Sequence, residues 1–459
     1  MPPSRTGAHR MTTTLGEQRA ALATQLRTLG RLTVAESRLA PLAIDDQRPT
    51  FAVGPDSPDA VAAAVAMVAE AGAGLAPRGS GTKVGLGNPS QRYDVALRLH
   101  RLDQILEYEP ADLTVTVQAG VRLSTLQRKL AEAGQFLALD PPHGAEATVG
   151  GILATNASGP SRLLYGSARD LVLGMRFATA EGELAKTGGK VVKNVVGYDL
   201  NKMHIGALGT LGVMVEMTFK VAPLPRQETT LWARFAGLAE AHGFSGRLHR
   251  SQLAPRAVEL LDATAAQQCV VPGDEPWLVL FHAAGSPATV ARQVSDAMQW
   301  AQADGAASYG PLDGDAQVNL WRTVRALPGT TVPGGVRLKI ATLPTEIVAV
   351  WDVLERAARS TDASVSRIAH AGNGITYALF GAATGPGLEL AAAATIVTAA
   401  QSVVLPSGGS VVVESCPVAL KQHLDVWGPT RDDFPIMQAL KAQFDPQSLF
   451  NPGRFLGRL

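Results

Sequence analysis

The stretch APRGSGTK (residues 76–83) sets two glycines one residue apart between Arg78 and Lys83, a combination suited to holding a phosphate. A nucleotide-hydrolysing loop needs G-x-x-x-x-G-K-[ST]. Gly74 and Gly79 have the glycine spacing, but Ser80 stands where the lysine belongs, and Lys83 comes too late. A dinucleotide fingerprint needs a third glycine where Val84 stands and a helix directly after it. The following LGNPSQR breaks that helix. What remains is a tight turn whose successive amides can form an anion nest. A glycine-rich surface turn explains this motif alone equally well.

Two further clusters widen the choice. DPPHGAEATVGGILATNASGPSRLLYGSARDLV (140–172) concentrates adjacent glycines, small residues, hydroxyls and amides. Such a run lets backbone lie close against a large flat ligand; close helix packing through small residues is the structural alternative. KVVKNVVGYDLNKMHIGALGTLGVMVE (190–216) adds a basic pair, a glycine turn and a Gly-Thr-Leu-Gly entry into a strand.

The elements that must position these clusters are legible. Ser57, Pro58 and Asp59 form a helix start, followed by Val61, Val65 and Val68 on one face and Gly72 as a stop. Leu75, Ala76 and Pro77 predict a strand running into the glycine loop, and LTVTVQAG (113–120) alternates as a strand. Leu123, Leu126 and Leu130 have helical spacing. Residues 171–186 predict two strands about a Glu181-Gly182 turn, and 211–221 a further strand. From Gln227 the pattern changes to Ala-rich helices (287–303, 346–359, 388–400) alternating with apolar strands.

Bulk properties exclude several classes. At 459 residues the chain suits two or three domains. Its 41 Lys and Arg nearly balance 40 Asp and Glu, so no global field draws nucleic acid or an anionic membrane. Cys269 and Cys416 lack CxxC spacing, which excludes a disulfide framework and a metal or cluster site built on cysteines. No signal peptide and no membrane-crossing run of about 18 apolar residues is expected. A reducing cytoplasm fits, with contact to an inner membrane only through partners.

In order and spacing, the three clusters resemble the FAD-binding domain of the p-cresol methylhydroxylase and vanillyl-alcohol oxidase superfamily. Its pattern is R-G-x-G-T; A-T-x-G-G with a following S-G and G-x-x-R-D; K-N-x-x-G-Y-D-L; and G-T-L-G, all present here, with F-D-P and N-P-G near the C-terminus. Within it the chain is similar to FAD-binding subunits of glycolate oxidases. The resemblance implies an α+β fold: a two-subdomain FAD-binding domain over residues 41–226 and an α+β cap with antiparallel sheet over 227–430. An N-terminal extension (1–40) precedes them, and a C-terminal segment (431–459) returns to the FAD site.

It also implies a site. Arg78, Gly79, Ser80, Gly81 and Thr82 would seat the pyrophosphate. Pro142, Thr148, Gly150, Gly151, Ser158, Gly159, Tyr165, Gly166, Ser167 and Asp170 would line the flavin, ribityl and adenosine path. Gly212 and Val213 would meet the adenine side, and Asn451 the isoalloxazine. No histidine lies in the first loop, so FAD is expected to be non-covalent. The implied partners are a homologous flavoprotein subunit, an iron–sulfur subunit and a small 2-hydroxy acid.

Oxidising such an acid needs a proton acceptor and a cation for the carboxylate. Catalytic relatives carry G-H-x-G-D-G-N-x-H metal ligands; here AHAGNGITY keeps His370 but has Asn373 and Tyr377 at the other positions, so no metal is expected. His370 and His143 are candidate bases, with hydrogen-bonded structural roles as the alternative. Arg337, Arg322, Arg325 and Lys339 are candidate carboxylate clamps.

Overall fold

The computed structural model describes residues 15–190 and 198–459. The K-N-x-x-G part of the third cluster, within residues 191–197, lies outside the described residues.

The helix Pro58–Glu70 starts where the local chemistry places it: Ser57 Oγ accepts the Ala60 amide at 3.2 Å, and Pro58 opens the first turn. Its Val61, Val65 and Val68 are fully buried. This helix packs on the second of two sheets that share one core. The first sheet has the order Arg31–Thr33, Phe51–Gly54, Val95–Arg98, Leu75–Arg78; the last three strands are parallel. The second is antiparallel, in the order Ile105–Glu109, Thr114–Gln118, Val213–Lys220, Val172–Ala178, Leu184–Gly188. The C-terminal segment closes the first sheet's open edge, where the Asn451 amide donates to the Leu75 carbonyl and Leu75 to Leu449, both at 2.8 Å.

The rest forms an eight-stranded antiparallel sheet: Ser308–Leu312, Gln227–Phe235, Trp277–Gly285, Ala257–Leu261, Ala363–His370, Ile375–Ala382, Val336–Ala341, Ser410–Ser415. The architecture is the expected α+β one. Strand alternation gives this sheet two characters. Val336, Leu338 and Ile340 are fully buried on one face beneath the helices Leu238–Arg250, Pro287–Ala303, Ile347–Ser360 and Leu390–Val404. Arg337 and Lys339 alternate with them onto the other face.

One expectation is corrected. The stretch Leu390–Ser407 is uncharged, with mean hydropathy 1.5, so a run long and apolar enough to cross a membrane does occur. Here Ala393, Ile396, Val397, Ala400 and Val404 pack inward on the sheet, and Thr395, Thr398 and Ser402 face out.

Candidate functional site

Between the two sheets of the first unit lies an elongated cleft of about 680 Å³, continuing into a second void of about 400 Å³. One wall is the glycine loop that follows Leu75–Arg78. The other is the helix Val149–Thr155, capped by Thr148, whose Oγ1 accepts the Gly151 amide at 3.3 Å. Loop and helix start touch: a Cβ on Gly79 would run into the Thr148 side chain. Close approach is why glycine is needed there.

The loop is also braced from outside. The Arg78 guanidinium reaches the carbonyls of Leu42 and Pro41, both at 3.4 Å, and packs against Gly81, where a Cβ would lie 2.6 Å from it. Ser80 Oγ donates to the Glu146 carbonyl, tying the loop to the segment before the helix. Arg454 reaches the Leu86 carbonyl at 2.6 Å, and Asn451 Nδ2 reaches that of Leu208 at 2.7 Å.

Of the expected cofactor residues, the cleft brings together Arg78, Gly79, Ser80, Gly81, Thr82, Pro142, Thr148, Gly150, Gly151, Gly212 and Asn451. The remainder do not line it. Ser158 accepts from Arg162 at 3.5 Å, and a side chain on Gly159 would strike Asp140. The Asp170 carboxylate is occupied by the Ser167 amide at 2.8 Å and hydroxyl at 3.0 Å, in a capping box beside Gly166, whose φ is +81°. Tyr165 lies edge-on to Phe136 at 5.4 Å under Arg256, and Val213 is buried at the start of its strand. Gly150 has a packing reason as well, since a Cβ there would sit 2.9 Å from the Ala119 carbonyl oxygen. Among the described residues no histidine, cysteine or tyrosine lines the cleft.

The opposite face of the eight-stranded sheet, which mixes an apolar cluster around Ile368, Ile375 and Leu379 with polar groups, carries the other candidates. His370 donates from Nδ1 to the Glu259 carboxylate at 2.7 Å, both residues being buried; its Nε2 has no partner among the described residues, and Tyr377 lies edge-on at 5.5 Å. Burial pushes the Glu259 carboxyl up, against the opposing pull of His370. Lys339 pairs in register with Tyr377, and burial lowers its pKa to about 8. Arg337 donates to the Thr330 carbonyl at 3.3 Å, with Nε 3.6 Å from Glu414.

Glu414 is the residue sequence reasoning missed. Lys83, the last residue of the glycine motif, reaches it at 3.1 Å, so the cleft loop and this face of the sheet meet at this pair. Burial alone would raise the Glu414 pKa, but Lys83, Lys339 and Arg337 outweigh it and hold the carboxyl below its usual range. An acid inside the apolar run VVVES was the one available signal.

The remaining candidates stand apart from this cluster. His143, at φ +59°, has its ring against Gly329, where a Cβ would lie 2.6 Å from Nε2. Arg322 is exposed and bonded to Asn319 at 2.8 Å; Arg325 caps the Trp321 carbonyl at 2.9 Å. Among the described residues no group of three His, Cys, Asp or Glu is placed to hold a metal.

The chain matches the FAD binding domain family over residues 49–188 and the C-terminal domain of FAD linked oxidases over 224–455. It is 26% identical over 425 residues to the glycolate oxidase subunit GlcD of Bacillus subtilis, covering 89% of each chain. With the glycolate oxidase subunit GlcE of Escherichia coli it shares 43% identity over 158 residues, 34% of this chain and 45% of that one. Its fold matches the solved structure of p-cresol methylhydroxylase with a TM-score of 0.75 at 17% identity, over 96% of this chain and 97% of that one. A cleft with an amide-lined glycine loop, joined to a cap of this kind, thus has matching relatives along nearly its whole length, and the chain belongs to the FAD-linked oxidases, with FAD as its cofactor.

Proposed function

We propose that the chain is a non-covalent FAD-binding subunit of a complex that oxidises glycolate or a similar 2-hydroxy acid to the 2-oxo acid and passes electrons to an iron–sulfur partner. The observation that carries this reading is a sheet face meeting the cofactor cleft at Lys83 and Glu414, with a histidine–carboxylate pair and a buried lysine on that face. The similarity to glycolate oxidase subunits supports the substrate class and a multi-subunit setting.

The residues present fit FAD. The amides of Gly79, Ser80, Gly81 and Thr82 would hold the pyrophosphate, and Gly79 allows the loop to close on Thr148. Thr148, Gly151, Pro142 and Asn451 would flank the rest of the cofactor. Bound FAD supplies the acceptor for a hydride from the substrate's Cα.

The chain's own residues would do the remaining work. Lys339 and Arg337 would hold the substrate carboxylate, a guanidinium offering two parallel donors. His370 would take the hydroxyl proton at Nε2 while Glu259 holds the ring through Nδ1 and stabilises the imidazolium that forms. Burial of this face excludes water and strengthens each of these interactions.

One observation favours a second reading, in which a homologous partner performs the oxidation and this chain holds flavin and relays electrons. Glu414 already engages Lys83 and Arg337, so part of the cationic charge is neutralised internally. Purified chain carrying yellow flavin, mixed anaerobically with glycolate or D-lactate, separates the two. Bleaching supports catalysis here, a flavin that stays oxidised supports the relay role, and protein that takes up no flavin overturns both.

A further inference from the structure

A further cavity, open to solvent, lies where the parallel strands Phe51–Gly54 and Val95–Arg98 end and the antiparallel strand Arg31–Thr33 begins. Arg31, Arg38, Arg98 and His100 line it, with the hydroxyls of Thr33 and Ser37. None of these three guanidinium groups has a hydrogen-bond or ion-pair partner among the described residues. Their neighbours contrast with them: Arg48 is paired with Glu36 at 2.8 Å, and Arg101 with Asp56 at 3.1 Å.

The counter-charge nearby is Asp103, which acts on His100. Among the described residues no carboxylate lines the cavity, and residues 1–14 contain no Asp or Glu. The clustering is felt locally: His100 is held below its ordinary pKa by desolvation first and then by Arg98, Arg101 and Arg31, with Asp103 opposing. Three like charges gathered in one concavity repel one another unless an anion joins them, and guanidinium forks match phosphate oxygens bidentately. The location is apt, because ligands of open α/β sheets bind beyond the carboxyl ends of parallel strands. The same end of this sheet carries the glycine loop.

We propose that this cavity binds an anion carrying two or more phosphate-type charges, at a site separate from the FAD cleft. It takes no part in the proposed oxidation and does not depend on that reading. Three guanidinium groups exceed what a single carboxylate can neutralise, which favours a diphosphate over a monoanion.

The test uses the FAD-loaded chain and inorganic pyrophosphate, followed by calorimetry at physiological salt. Saturable binding is expected, weakening as salt rises, and Arg98→Ala should weaken it about tenfold or more, as for loss of a charge-assisted pair. Flavin content should be unchanged. Arg38→Ala, on an exposed position, repeats the test should Arg98→Ala fail to fold. By NMR, pyrophosphate should raise the His100 titration midpoint in the wild type, where Arg31, Arg98, Arg101 and Asp103 face the ring. Three results would overturn the proposal: no saturable binding, variants that bind like the wild type, or binding to the FAD-free chain that FAD abolishes. The last would assign the pyrophosphate to the cofactor cleft.

Discussion

Lys83 Nζ lies 3.1 and 3.2 Å from the two carboxylate oxygens of Glu414, across 331 residues of sequence, with the two side chains only 10% and 5% exposed. The pair joins the cofactor loop to the cap's last strand. Removing one partner of a buried pair leaves the other charge uncompensated, at a cost of about 3–5 kcal/mol. Glu414→Gln should therefore lose stability of that order at neutral pH. Because Glu414 titrates below its ordinary value of 4.5, its contribution is present above that value and is lost as pH falls through the folded-state value. Denaturant unfolding of both proteins across acidic pH should show the gap closing below about pH 4.5; a gap independent of pH would refute this assignment.

Gly79→Ala places a methyl group against Thr148. Loop and helix start must then separate, and the amides lose their registration with the cofactor. The variant should purify with little flavin while its circular dichroism stays close to wild type. Thr148→Ala removes two of the three contacting atoms at the cost of a helix cap, about 1 kcal/mol. The double variant should regain part of the flavin; no recovery would mean that Gly79 acts through something other than this contact.

Much of the scaffold was legible because its signals are local. Ser57, Pro58 and Asp59 announce a helix by capping chemistry, and Thr114–Gln118 announces a strand by alternation. The site was legible only in part. Glu259 and Glu414 each sit as a single acid within an apolar strand, and their partners lie 111 and 331 residues away, beyond the reach of any spacing rule. Glycine content could not tell ligand approach from packing. Gly79 lines the cleft, Gly150 both lines it and abuts Ala119, and Gly159 packs on Asp140 away from its lining. Composition was likewise silent on which face of Leu390–Ser407 meets the sheet.

Lys339 gives the cap a titration within reach of ordinary assays, because burial lowers it from 10.5 to about 8 against the pull of Glu414. If it holds the substrate carboxylate, affinity for a non-reacting dicarboxylate such as oxalate should fall as pH rises through about 8. The limiting loss is about tenfold per pH unit, one proton being linked to one anion. Lys339→Met should bind weakly with a flat profile. Stability has its own sign: the unfolded chain keeps the proton longer, so wild-type stability should rise between about pH 8 and 10.5 relative to the variant. Oxalate titrations of the flavin spectrum over this range check the first expectation, and a wild-type profile as flat as the variant's would remove Lys339 from the site.

His204 provides an acid-side counterpart beside Gly212. Its ring lies against Phe177 at 4.1 Å and edge-on to Phe444 at 6.2 Å, its Nε2 has no hydrogen-bond partner among the described residues, and burial lowers its pKa from 6.5 to about 4. The neutral ring is the folded form. As pH falls below about 6.5 the unfolded chain takes up the proton first, so stability drops until about pH 4 and this contribution is then exhausted. A shift of that size corresponds to roughly 3 kcal/mol. His204→Phe keeps an aromatic ring in the pocket and removes the titration, so wild type should lose stability over this window and the variant much less. Thermal melts at pH 7, 5.5 and 4 would test it, roughly spanning this one proton's linkage. Parallel decline of both proteins would place the acid sensitivity elsewhere.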